Sequence, residues 1–151
     1  DAGAALDRLR TATSRGAPYA LTLVDSSLPG TTVESLAAEI RNDPAVAETI
    51  EYLIASVSES DLTFIRNGKR YAGSEAAEHM RKKYDYFDDD IVSAEDFIRL
   101  AATRSLMSGK PYYVVLADGT RTKTADWLGT RLGEYRLRMA EQALAQESEN
   151  E

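Results

Sequence analysis

The chain has no cysteine and a single histidine, His79. The first absence excludes disulfide frameworks, thiolate zinc sites and cysteine nucleophiles together. The second leaves one imidazole for any acid–base chemistry near neutral pH. Positive charge is also scarce: 18 Lys and Arg stand against 25 Asp and Glu, a net of −7 at pH 7. Non-specific polyanion binding needs net or clustered positive charge, so neither nucleic acid nor an anionic membrane surface is an expected partner. No stretch reaches the roughly 20 consecutive apolar residues of a membrane span. The first residues, DAGAALDRLR, lack the basic start and apolar stretch of a secretory signal. That tilts the expected location towards the cytoplasm, but a signal removed before residue 1 would leave the same sequence, so the compartment stays open.

What is present suits one compact domain or two small modules sharing a core. With 151 residues and 43% hydrophobic content, the chain can bury roughly 70% of the surface its unfolded form exposes. Hydrophobic spacing lays out the elements. Leu6, Leu9 and Ala12 share a helical face that stops at Gly16, and PYALTLVD is a short, nearly all-apolar run of the kind buried on both faces of a sheet. LPGTT turns the chain, and Thr32 caps a helix that should fail before Pro44. From Ala45, the residues Val46, Ile50, Leu53, Ile54 and Val57 mark an amphipathic helix ending at SESD.

LTFIR and KRYAG then flank Asn67-Gly68, the dipeptide best suited to the positive φ angles of a type I′ hairpin turn. Ser74 is expected to cap a helix through about Tyr84, ahead of the acidic loop DYFDDD. Ser93 and Asp96 form a capping pair for a helix carrying Phe97, Ile98 and Ala101, which Ser105, Ser108 and the C-cap glycine Gly109 terminate. PYYVVLADGTRTKT reads as a second hairpin turned at Asp118-Gly119, and Thr124 as the cap of a last helix. Residues 143–151 hold too little apolar surface to offset ordering and are expected to be a disordered tail. The expected class is therefore α+β: two β-hairpins with packed helices, preceded by an N-terminal βα segment.

Two resemblances divide the chain at residues 47 and 48. The apolar strand ending on Asp25, the loop residues Leu28-Pro29-Gly30 and the helix LAAEIRNDP resemble, within residues 4–47, the middle of a response-regulator receiver domain. The resemblance implies a phosphorelay role, with Asp25 as phosphoacceptor and Mg²⁺, a hydroxyl and a lysine neutralising charge on the phosphate oxygens. The acidic pair that such domains carry on their first strand lies upstream of the matching segment. Ser56 falls on a helix by periodicity, and Lys110-Pro111 sits in a segment that matches something else. One carboxylate cannot hold Mg²⁺ and support the transfer alone, so the segment reads as a degenerate receiver and Asp25 as a solvated carboxylate at a strand end. Phosphate acceptance on Asp25 is the alternative.

Across residues 48–136, ETIEYLIASVSESDLTFIRNGKRYAGSEAAEHMRKKYDY, SAEDFIRLAATRSLMSGKPYYVVLADG and WLGTRLGEYR resemble an uncharacterised bacterial family of small, usually exported proteins. That family often carries cysteines where Leu62 and Leu116 stand here, and no established activity comes with it.

The candidate chemistry must then be read residue by residue. His79 suits a general base or ligand, but no second histidine or obvious nucleophile lies near it in sequence, and a surface or core-edge role is the plainer account. DYFDDD offers clustered oxygens to Ca²⁺ without the glycine or the regular spacing of a calcium loop. Ser105 and Ser108 need a base beside them to be nucleophiles. The basic group Arg66, Lys69, Arg70, Arg81, Lys82 and Lys83 stands out in an acidic chain. If the first hairpin packs beside the following helix, it makes a binding patch for a small anionic ligand or a protein partner; otherwise it is an ordinary solvated face. Tyr71, Tyr84, Tyr86, Phe87, Tyr112 and Tyr113 either line a groove between sheet and helices or pack the core. The expectation is a non-catalytic partner- or ligand-binding module with no cofactor or metal, Mg²⁺ entering only with the Asp25 alternative.

Overall fold

Asp43-Pro44 opens a helix. In the computed structural model, which describes residues 43–149 and position 38, helix α1 spans Pro44–Ser58. Pro44 sits in the first turn, where its missing N–H is not needed, and Asp43 caps the end by accepting from the Ala45 N–H at 2.9 Å. Ile50, Leu53, Ile54 and Val57 form the buried stripe at the expected spacing. The boundary drawn at residues 47 and 48 falls inside this helix. The elements expected before residue 43, Asp25 among them, lie outside the described residues.

Both hairpins form. Strands β1 (Thr63–Arg66) and β2 (Lys69–Tyr71) are joined by Asn67 at φ 52 and Gly68 at φ 78, the paired left-handed geometry of a type I′ turn. Strands β3 (Tyr113–Val115) and β4 (Arg121–Lys123) follow, with Gly119 at φ 85 in the connecting loop. The hairpins join through β1 and β3 into one antiparallel sheet of order β2-β1-β3-β4. Phe64 lies opposite both Tyr71 and Val114, so these three share the face turned to the helices. The period-2 alternation extends that face to Arg66 and to Tyr112, just before β3. Ile65, Arg70, Tyr113 and Lys123 occupy the opposite face.

Three helix boundaries differ from expectation. Helix α2 spans Gly73–Tyr86, with Ala72 rather than Ser74 at the cap position. Its end is secured by Glu75, which reaches back to accept from the Ala72 N–H at 2.9 Å. Gly73 permits this early start: a Cβ there would stand 2.2 Å from the Val57 carbonyl oxygen and 2.8 Å from that of Ser60. Asp88–Asp90 add a 3₁₀ turn. Helix α3 spans Ala94–Ala101 and is capped as expected, Ser93 Oγ accepting from the Asp96 N–H at 3.1 Å and donating to its carboxylate at 2.8 Å. It stops at Ala101 rather than near Gly109, because the chain leaves the helix to pair with the start of β3. The Tyr112 N–H donates to the Thr103 carbonyl at 2.9 Å, and Arg104 bridges Pro111. Gly109, at φ 67, closes a separate turn on Ser105.

Helix α4 spans Thr124–Glu149 and so continues through residues expected to be a disordered tail; Ala143, Leu144, Ala145 and Gln146 are strong helix formers. Thr124 begins this helix without capping it through its side chain: its hydroxyl has no hydrogen-bond partner among the described residues. The helices close over one sheet face, with Phe97, Val114 and Leu128 fully buried and Trp127 edge-on to Phe64 at 5.8 Å between ring centroids. Among the described residues, no helix is long and apolar enough to cross a membrane.

The two kinds of glycine in these helices should respond oppositely to alanine. Gly73→Ala is expected to destabilise by about 2–3 kcal/mol because its Cβ meets fixed backbone. Gly129→Ala, whose Cβ meets nothing within 4 Å, should stabilise by about 0.5–1 kcal/mol. Urea unfolding midpoints of the two variants check both signs.

Candidate functional site

The helix-facing side of the sheet does not close completely. Where β1 and β2 meet α2 and the first residue of α4, a cavity of about 210 Å³ remains. Phe64, Ala76 and Met80 supply its apolar wall; Arg66, Tyr71, His79, Lys82, Tyr112 and Thr124 bring polar groups to it, and so do two acids, Glu75 and Glu78.

His79 lies between two partners that it joins. Arg66 Nη1 is 2.6 Å from His79 Nδ1, and His79 Nε2 is 3.1 Å from the Tyr112 hydroxyl. A guanidinium can only donate, so Nδ1 must be the accepting, unprotonated nitrogen. The neutral ring then carries its proton on Nε2 and donates it towards Tyr112. Burial lowers the His79 pKa to about 4, and the charges of Arg66, Lys83 and Lys82 push the same way. Geometry and electrostatics therefore agree on a neutral ring at pH 7. Its basic lone pair is occupied by the contact with Arg66.

The same logic frees a proton further along. Since the Tyr112 oxygen accepts from His79, its own O–H remains available to donate. Tyr112 is nearly buried, and burial raises its pKa, with Arg66 opposing, so the phenol stays protonated. Behind it, Lys83 is only 5% exposed, donates to the Arg104 carbonyl at 2.9 Å and stands 5.2 Å from the Tyr112 ring centroid. Desolvation lowers the Lys83 pKa to about 8, and Arg104 and Arg66 add to the effect.

The basic residues noted in the sequence do not gather into one patch. Arg66 and Lys82 reach the cavity; Lys82 is paired with Glu78 at 2.7 Å. Lys83 serves the interior, and Arg81 turns to α1, where it meets Glu51 at 2.8 Å. Lys69 and Arg70 are exposed on β2, Arg70 on the far face of the sheet. Arg66 differs from the rest. Its second nitrogen lies 3.4 Å from the Tyr71 hydroxyl and its guanidinium 4.9 Å from the Tyr71 ring centroid. Every partner it has among the described residues is neutral.

Other candidates find structural employment. Ser108 donates to the Asn67 side-chain carbonyl at 2.6 Å, tying its loop to the first hairpin turn, and Ser105 is buried beside it. Ser56 bonds back to the Tyr52 carbonyl within α1 at 2.8 Å. Among the described residues no group of three His, Asp or Glu could hold a metal ion, the acidic loop included. Of the aromatic set, Tyr71 and Tyr112 line the cavity, Tyr84 packs edge-on against Phe97, and Tyr113 lies on the far face beneath Arg121 at 3.9 Å. Sequence reasoning did not connect His79 to Arg66 and Tyr112, nor include Thr124 in a site. The period-2 alternation was the usable signal, but it needed the β1–β3 pairing.

A family described as "Family of unknown function (DUF5329)" matches residues 44–136, which contain the whole sheet and the cavity. The "Uncharacterized protein YfeK" of Salmonella typhimurium is 42% identical over 60 residues, covering 40% of this chain and 50% of that protein. The chain thus spans about half the length of that curated relative. No solved structure matches.

The depressed His79 pKa has a definite sign in stability. Between about 4 and the ordinary value of 6.5, the unfolded chain binds more protons than the folded one, so stability falls as pH drops through that window. Urea midpoints should decline from pH 6.5 to pH 5, above the carboxylate range, and His79→Gln should flatten that slope. A slope unchanged by the substitution would assign the pH dependence to other groups.

Proposed function

The chain belongs to that family of unknown function, and we propose that it is a non-catalytic binding module taking a small anion at Arg66. The observation that carries this reading is a half-buried guanidinium on a cavity wall with no carboxylate partner among the described residues. Charges drawn out of water normally have a counterion, and a guanidinium offers a carboxylate or phosphate two parallel hydrogen bonds. The two acids on the same cavity wall have partners of their own: Glu75 secures the start of α2 and Glu78 holds Lys82. At about 210 Å³ the cavity is smaller than the roughly 300–1,000 Å³ of drug-sized pockets, which favours a small molecule. The occupied lone pair of His79 supports binding over catalysis.

Titration with acetate, benzoate and inorganic phosphate, followed by amide shifts, should perturb β1, β2 and α2 together. Arg66→Met is expected to weaken the tightest of these at least tenfold, in line with about 1.5–3 kcal/mol for a charge-assisted hydrogen bond. Arg70→Met, on the far face of the sheet, should change it less than twofold. Equal losses from both variants would replace the Arg66 site with diffuse electrostatic attraction. Saturable shifts with an acidic peptide alone would point to a protein partner instead.

A further inference from the structure

Building on the reading of Arg66 as an anion site, we infer that the inner end of the same cavity recognises a second, uncharged oxygen of the ligand, through the hydroxyls of Tyr112 and Thr124. The ligand class this defines is a small bifunctional acid: a carboxylate at one end, a hydroxyl or carbonyl at the other, and an apolar body between.

Thr124 carries the argument. It is fully buried, it lies on the cavity wall, and its hydroxyl has no hydrogen-bond partner among the described residues. Buried hydroxyls without partners are uncommon and unfavourable, so each calls for a reason. Helix capping does not provide one here, because the Thr124 hydroxyl bonds to nothing among the described residues, while its N–H donates to the Tyr112 carbonyl at 3.0 Å.

Tyr112 supplies the second observation independently. With Nδ1 of His79 accepting from Arg66, the imidazole donates to the Tyr112 oxygen and leaves that phenol's proton without an acceptor. The donor-only character of Arg66 thus propagates through His79 and leaves a donor on Tyr112, which lines the same cavity as Thr124. Both residues line the one cavity, where a ligand oxygen can accept from Tyr112 and exchange a hydrogen bond with Thr124 in either direction. A carbonyl or a hydroxyl can do this; a methyl group cannot.

The spacing follows from the same chain. Arg66 and Tyr112 are separated by one imidazole ring and two hydrogen bonds, so the two ends of the ligand lie about that far apart. Phe64 and Met80 line the cavity with them and favour an apolar span over a second charge.

Matched pairs of acids differing only at the far end test this: benzoate against 4-hydroxybenzoate, and pentanoate against 4-oxopentanoate, by calorimetry on the full chain. The oxygen-bearing member of at least one pair should bind about tenfold tighter or more. Thr124→Val, which keeps the side-chain shape, should bring that ratio close to one, and Tyr112→Phe should do the same as an independent variant. Arg66→Met should weaken both members alike. If the plain and oxygen-bearing acids bind equally, and neither hydroxyl variant changes their ratio, the inner end holds bound water only; the inference is then wrong while the Arg66 reading stands. If no member of either pair binds, both fail.

Discussion

A guanidinium cannot accept a hydrogen bond, and the 2.6 Å contact between Arg66 and His79 makes that limitation structural. It fixes the imidazole proton on Nε2, directs it to Tyr112, and leaves a donor on that phenol, which lines the cavity. It also places a cation beside the only histidine in the chain, so the ring is held neutral by its partner's charge as well as by burial. Lys83, buried behind Tyr112, reinforces the same potential.

The contact depends on backbone features well away from it. The left-handed pair Asn67-Gly68 sets the register of the first hairpin, and with it the face on which Arg66 emerges. Gly73 lets α2 begin against the last turn of α1, and α2 carries His79. Pairing of β1 with β3 across a long stretch of sequence puts Tyr112 on the same face. A change of one residue in either register would move Arg66 or Tyr112 to the far side of the sheet.

These dependencies explain how much could be read in advance. Local chemistry was legible: the positive-φ dipeptide, the Ser93–Asp96 cap and the buried stripe of α1 each announce themselves over a few residues. Ser74 misled because the true start of α2 is set by a close approach to α1, which no nearby residue reports. Gly109 misled for a related reason, since Thr103 and Arg104 leave the helix to satisfy strand partners further on. The basic residues of the first hairpin and α2 read as a patch by proximity in sequence. Their separation comes from helical periodicity, which turns Arg81 to α1, Lys83 inward and Lys82 to the cavity. Thr124 reads from sequence as the cap of the last helix, whereas it is the first residue of that helix and its buried, unpaired hydroxyl follows only from packing.

The proposed binding role and the proposed ligand class both descend from the proton arrangement at His79, so that arrangement is the place to test the account. Nitrogen-15 chemical shifts of the His79 ring report it directly. At pH 7 they should show a neutral ring protonated on Nε2 with an unprotonated Nδ1, and the ring should titrate well below its ordinary 6.5. A ring protonated on Nδ1, or one charged at pH 7, would contradict the account at its source.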